Sequence, residues 1–220
     1  IDKITSPEGL GMSPKRIVVS TSGVPKIIKN SLTRRQTSME VLAKDYHLNY
    51  SAEKKKDVSF LNNFSFFRTK QVNHIYNELS QKDETIELFD IEFSEGEFIA
   101  KEVVRSTMLH VNLNISIPEF TLDREGFLEK VSAFAGFKDI PIENHEDFSK
   151  RFYLMGENVA EISKFFNDDV THFFESNPYY HVESNGSALL IFGKERLASV
   201  KEIKALFDFG KRLKDVIAHG

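Results

Sequence analysis

Seven histidines and no cysteine set the side-chain chemistry open to this 220-residue chain. Without thiolates there are no disulfides, no Cys-ligated zinc and no iron–sulfur cluster held by this chain. Metal chemistry would fall to imidazole and carboxylate. In "NDDVTH" (167–172), Asp168 and His172 stand four residues apart in a stretch with helical periodicity. That spacing puts both on one helix face, where they can offer an ion two ligands. The same positions also suit the polar face of an amphipathic helix, and the site reading keeps them as metal candidates only. "HED" (145–147), just before Phe148, has ligand types too, but reads better as a capping or turn element. His110, Asn112 and Asn114 alternate along a predicted strand and would form a polar strip on a solvated sheet face.

The carboxylates Glu87, Asp90, Glu92, Glu95 and Glu97 lie along a predicted hairpin. Acid–base catalysis would need two of them facing each other across a cleft; the plainer reading is an acidic edge that discourages strand addition. "FSFFRTKQ" sets Arg68 and Lys70 beside Phe64, Phe66 and Phe67, superficially a stacking surface for single strands. Core phenylalanines flanked by surface cations are the better reading. "AEKKKD" (52–57) reads as a solvated loop. No nucleophile elbow, phosphate-binding loop, dinucleotide fingerprint or His-Glu-x-x-His segment is present, so no catalytic residue is assigned and no cofactor is expected of the body of the chain.

The elements that must position these groups are legible from periodicity. Hydrophobic residues make up 40% and charged residues 28%, a globular balance. With 20 Phe and no Trp, the core is expected to be Phe-rich. A net charge of -4 and a pI near 6.0 give no push towards nucleic acid, and none is expected as a partner. No apolar run is long enough to span a bilayer. The opening "IDKITSPEGLG" lacks the apolar core of a signal peptide and begins without Met, as in a processed product, an excised piece or an incomplete reading frame.

Residues 31–38 ("SLTRRQTS") read as a linker or helix lead-in, and a helix starts at Ser38 with Met39, Leu42 and Tyr46 inward. "VVRSTMLHVNLNISIP" predicts one long strand with Leu109, Val111, Leu113, Ile115 and Ile117 on the buried face. "DREGFLEKVSAFAG" predicts a helix capped by Asp123 and closed at Gly136. Short strands are expected around 140–142 and 151–155. "NVAEISKFFNDDVTHFFESN" predicts a single amphipathic helix, and "YYHVESNGSALLIFG" a hairpin turning on Asn185-Gly186. A long terminal helix follows, with Gly210 as a possible kink. The expected fold is α+β, with antiparallel strands, amphipathic helices on one side and a long C-terminal helix. The expected division is 1–36 and 37–220.

Two resemblances overlie this reading. "GLGMSPKRIVVSTSGVPKI" (9–27) resembles the radical-SAM 23S rRNA adenine-C2 methyltransferases, in which a barrel strand carries a Ser-Thr-Ser-Gly segment after a Gly-Leu-Gly-x-Ser-Pro run. The resemblance covers about residues 2–30. It implies that Ser20 contacts S-adenosylmethionine, at the strand end where such a barrel opens to ligand. The family's three-cysteine motif and catalytic cysteines are missing, so the resemblance implies a remnant or fusion with an incomplete site, joined near Asn30–Ser31. Separately, "LFDIEF" (88–93), "IPEFTLDRE" (117–125), "DFSKRFYLMGEN" (147–158) and "HVESNGSALLIFGKE" (181–195) look like an uncharacterised bacterial domain family whose members often follow N-terminal membrane helices. That resemblance, over about 45–215, implies a non-catalytic interaction module with a protein partner. It also implies a cytoplasmic location at the inner face of a membrane, held there by a segment absent here. A small-ligand or metal-binding domain is the remaining alternative.

Overall fold

A computed structural model describes residues 24–96, 101–124 and 139–219. Packing divides the chain into two units, Ile1–Thr37 and Ser38–Gly220. The predicted strand at 17–22 with Ser20, the acid Glu97 and the predicted helix over 125–136 lie outside the described residues.

The first described helix, α1 (Val24–Tyr46), runs straight through the segment expected to be a linker. Its only proline, Pro25, sits in the first turn, where no backbone donor is lost, and no glycine or proline follows before Tyr46. Arg34, Arg35 and Gln36 are good helix formers, so polarity there marks an exposed helical stretch rather than a break. Within the larger unit Met39 and Leu42 are buried, as the spacing predicts; Ala43 is buried with them, and Tyr46 is half-buried.

Among the described residues the larger unit is built on one antiparallel sheet, ordered β1-β2-β3-β4-β8-β7-β5-β6. The strands are β1 (Asn49–Ser51), β2 (Gln71–Ser80), β3 (Ile86–Glu95), β4 (Glu102–Asn112), β5 (Phe120–Asp123), β6 (Tyr153–Met155), β7 (His181–Ser184) and β8 (Ala188–Phe192). The helices are α2 (Glu146–Arg151), α3 (Val159–Phe165), α4 (Asp168–Glu175) and α5 (Val200–His219). The fold is α+β, as expected.

Period-two alternation sorts side chains onto two buried layers. Leu88, Leu109, Val111, Leu122, Val182, Leu189 and Ile191 point to the helical side, where α5 adds Leu206, Phe207 and Leu213. Phe89, Ile91, Phe93, Met108, Leu190 and Phe192 point the other way, under a lid of two tight turns (Ser59–Asn63 and Ser65–Phe67) that contributes Phe64, Phe66 and Phe67. Those three phenylalanines are core, not a stacking surface; Lys70 lies with its Nζ 4.3 Å from the Phe66 ring centroid. The Phe-rich core exists in two parts.

The sheet corrects several expectations. β4 ends at Asn112, because the chain then leaves the sheet towards Pro118. Both faces of its Ser106–Val111 stretch are covered, so His110 is buried at 4.9 Å from the Phe60 ring and 6.0 Å from Phe64 (centroids) rather than lying on a wet face. β3 is interior, flanked by β2 and β4, so its carboxylates are no edge; the edges are the three-residue β1 and β6, whose brevity limits strand addition. Residues 140–142 form no strand, although Ile140 N–H donates to the Leu154 carbonyl at 2.7 Å. The single amphipathic helix predicted over 158–177 is two helices. Asn167 breaks it, and its side chain caps α4 by accepting from Val170 N–H at 3.0 Å. Gly210 is buried where α5 meets β4: a Cβ there would stand 2.2 Å from Leu109 Cδ2, so close approach explains the glycine.

Candidate functional site

β7 and β5 carry charge into the layer under the tight turns. His181 and Glu183 are two apart on β7 and share a face, and Asp123 ends the neighbouring β5. All three are at most 3% exposed. His181 Nδ1 lies 2.5 Å from Asp123 Oδ2, and its Nε2 lies 3.9 Å from Glu183 Oε2. Asp123 Oδ1 accepts from the Tyr179 hydroxyl and, at 2.7 Å, from Arg124 N–H. Burial on its own would lower the His181 pKa, but the hydrogen-bonded carboxylate of Asp123 and the nearby carboxylate of Glu183 outweigh it and hold it up at about 9. The imidazole is therefore an imidazolium at neutral pH, enclosed by two anions and stacked on Phe192 at 4.4 Å.

Glu183 also organises the lid. Its Oε1 accepts from Ser65 N–H and its Oε2 from Phe66 N–H at 3.1 Å, so one carboxylate fixes the second tight turn. It also lines a cleft of about 410 Å³ bounded by the loop into β5, the end of β6, the start of α3 and the β7–β8 turn. Four glutamates (Glu119, Glu157, Glu161 and Glu183) line it against one arginine, Arg68. Two glycines shape the wall. Gly156 leaves no room for a Cβ, which would stand 2.6 Å from the Glu119 carbonyl oxygen, and Gly186 turns the hairpin at φ +92°. A cleft so lined repels anions and suits an ammonium or guanidinium group.

The other carboxylates are structural. Asp90, fully buried, accepts from Thr107 Oγ1 at 2.7 Å and from Asn77 Nδ2 at 2.9 Å, and Asn77 sits at the β2 bulge with φ 51°. Glu92 pairs with Arg105 at 2.9 Å.

Of the metal candidates, the structure places Asp168 and His172 on α4, as the spacing predicts, and adds two residues. His145 arrives as the N-cap residue of α2, and Glu175 follows His172 by three on α4. His145 Nε2 lies 3.2 Å from Asp168 Oδ1 and its Nδ1 3.3 Å from Glu175 Oε1. The His145 and His172 rings meet edge to face at 5.0 Å. Hydrogen bonding to Asp168, with Glu175 adding to it against the effect of burial, raises the His145 pKa. The "HED" segment therefore joins the 168–172 segment in space, a pairing no spacing rule encodes. The Asp123–His181–Glu183 group escaped the sequence reading. Its signal was a His and a Glu two apart, "HVES", inside an otherwise apolar strand.

No family model matches the chain. Over 29 residues it is 83% identical to the probable dual-specificity RNA methyltransferase RlmN of Christiangramia forsetii and 76% identical to that of Flavobacterium johnsoniae. The match spans 13% of this chain and 8% of each relative's length, so the methyltransferase resemblance holds as a short fragment. Among solved structures, that of the mycobacterial trehalose monomycolate transport factor A, TtfA, aligns with a TM-score of 0.54 at 11% identity. The alignment covers 84% of this chain and 94% of that one. The fold built around the cleft is thus one that a mycobacterial protein shares, and the match to the methyltransferases spans 29 residues.

Proposed function

We propose that the unit from Ser38 onward is a non-catalytic interaction module that receives a Lys- or Arg-rich segment of a protein partner in its acidic cleft. The observation that carries this reading is the cleft's lining of four glutamates against one arginine. The glutamates differ in kind: Glu183 is fixed by two backbone donors, whereas Glu119, Glu157 and Glu161 are exposed and free to follow a ligand. The neighbour of the same fold carries the description of a transport factor, and a binding role is in keeping with it. A place on the cytoplasmic face of a membrane rests on the resemblance of the Phe-rich blocks. No helix among the described residues is long and apolar enough to cross a bilayer, so the attachment would come from another segment.

The test is fluorescence anisotropy with a short labelled Lys-Gly peptide, and a Glu-Gly peptide as control, at about 50 mM salt, where surface charges are weakly screened. The Lys peptide is expected to bind with a Kd of about 10–100 μM, and more weakly as salt rises. Changing Glu157→Gln and Glu161→Gln together should weaken it about tenfold. Equal binding of both peptides, or an unchanged affinity in the double variant, would overturn the reading.

The 29-residue match favours a second reading, that the opening segment keeps S-adenosylmethionine affinity through Ser20. The sequence supplies no cysteine for the cluster such chemistry uses, so binding alone is at issue. Equilibrium dialysis with Ser20→Ala as comparison decides it, and we expect no Ser20-dependent binding.

A further inference from the structure

We propose that His145, His172 and Glu175 form a binding site for a zinc ion that clips the segment before α2 to α4, with Asp168 on the other ring nitrogen of His145 orienting that ring. The site is separate from the acidic cleft and does not depend on the reading given to it.

The argument begins with donor type. Two imidazoles and one carboxylate suit a borderline metal such as Zn²⁺, whereas Mg²⁺ and Ca²⁺ prefer all-oxygen shells. Placement comes next. His172 and Glu175 stand at i and i+3 on α4, so one face of one helix presents both. The third group, His145, comes from a different element. One ligand atom from each of His145, His172 and Glu175 lies within 4.8 Å of the others. A tetrahedral zinc with bonds of about 2.0–2.1 Å separates its ligand atoms by about 3.4 Å, so the cluster must close by little more than 1 Å. The side chain that would move is the exposed one. His172 is 66% exposed, while the His145 side chain, at 8%, and Glu175, at 19%, are held.

The held pair is also supported from behind. Arg151 donates to the carbonyls of Glu175 and, at 3.2 Å, Asn177, fixing the end of α4 from which Glu175 projects. The three protein ligands come from two elements and leave the fourth position to water, so the expected role is to clip those elements together. The competing state is an ion-paired His145 imidazolium between Asp168 and Glu175. In that state His172, 3.9 Å from Glu175, has no necessary part. His172 therefore separates the two descriptions.

The experiment uses the full chain, stripped with a chelator and dialysed. Zn²⁺ is titrated by calorimetry and by thermal unfolding, and Co²⁺ serves as a spectroscopic stand-in. The expected result is one ion per chain with a Kd of about 1 μM or tighter, a raised Tm, and the intense visible absorption of tetrahedral Co²⁺. His172→Ala should weaken zinc at least about tenfold and leave the metal-free Tm at the wild-type value, because the side chain is mostly exposed. His74→Ala, remote from the cluster, should bind as wild type. Absence of binding below about 100 μM zinc, or binding that His172→Ala leaves unchanged, would overturn the site. Glu175→Gln gives an independent check should the alanine variant fail to fold: its zinc affinity should fall by a similar factor, and an unchanged affinity would equally overturn the site.

Discussion

Two histidines in this molecule each lie between two carboxylates, and their surroundings make them different devices. His181 stands between Asp123 and Glu183 with every member of the trio at most 3% exposed. His145 stands between Asp168 and Glu175, whose side chains are 89% and 19% exposed. In the first group the desolvation cost of three charges is already spent, so each depends on the others, and removing one strands the rest. In the second, water still screens one carboxylate, and the ring can exchange its partner for an incoming ion. The same chemical triplet is a structural pin under the lid and an adjustable ligand set on the helices.

The comparison can be broken by substitution. Asp123→Ala leaves the His181 imidazolium with only Glu183 at 3.9 Å and takes the acceptor from Tyr179. Urea unfolding should show a loss of about 3–5 kcal/mol. A loss below about 1 kcal/mol would mean that the buried trio is not a unit.

Next in size is the response to pH. The folded His181 pKa of about 9 exceeds the unfolded value near 6.5, so the stabilisation is complete below about pH 6.5 and is lost as pH rises through 9. The groups facing this ring are Asp123, Glu183 and the Phe66 and Phe192 rings. Stability measured from pH 6 to pH 10 should fall by about 3 kcal/mol. The Asp123→Asn variant should show a much flatter profile. A wild-type curve as flat as that of the variant would contradict the assignment.

The smallest effect is expected at the exposed counterpart. Asp168→Ala should leave stability within about 0.5 kcal/mol of wild type in the absence of metal. A cost as large as that of Asp123→Ala would erase the distinction.

How much of this was legible depended on whether the signal was local. Asn185-Gly186 announces its hairpin because a left-handed residue is needed there and glycine supplies it; the structure has φ +92° at Gly186. The α5 stripe of Ile203, Leu206, Phe207 and Leu213 is buried as its spacing requires. The break at Asn167 was less legible, because the apolar spacing continues across it and only the cap chemistry marks the stop. His110 was misread because alternation of polar and apolar residues looks the same whether the second face meets water or a lid of phenylalanines.

The sequence by itself determined the α+β composition, the absence of thiol chemistry, the Asn-Gly hairpin, the terminal helix and the kinship of a short opening stretch. Each follows from residues adjacent in the chain or from counting. Only the tertiary structure decided that β3 is interior, that "HED" meets α4, that Asp123 faces His181, and that four glutamates share one cleft. Those facts depend on strand order and helix docking, which bring together residues far apart in sequence. Periodicity says which face of an element is buried; it does not say what lies across from it.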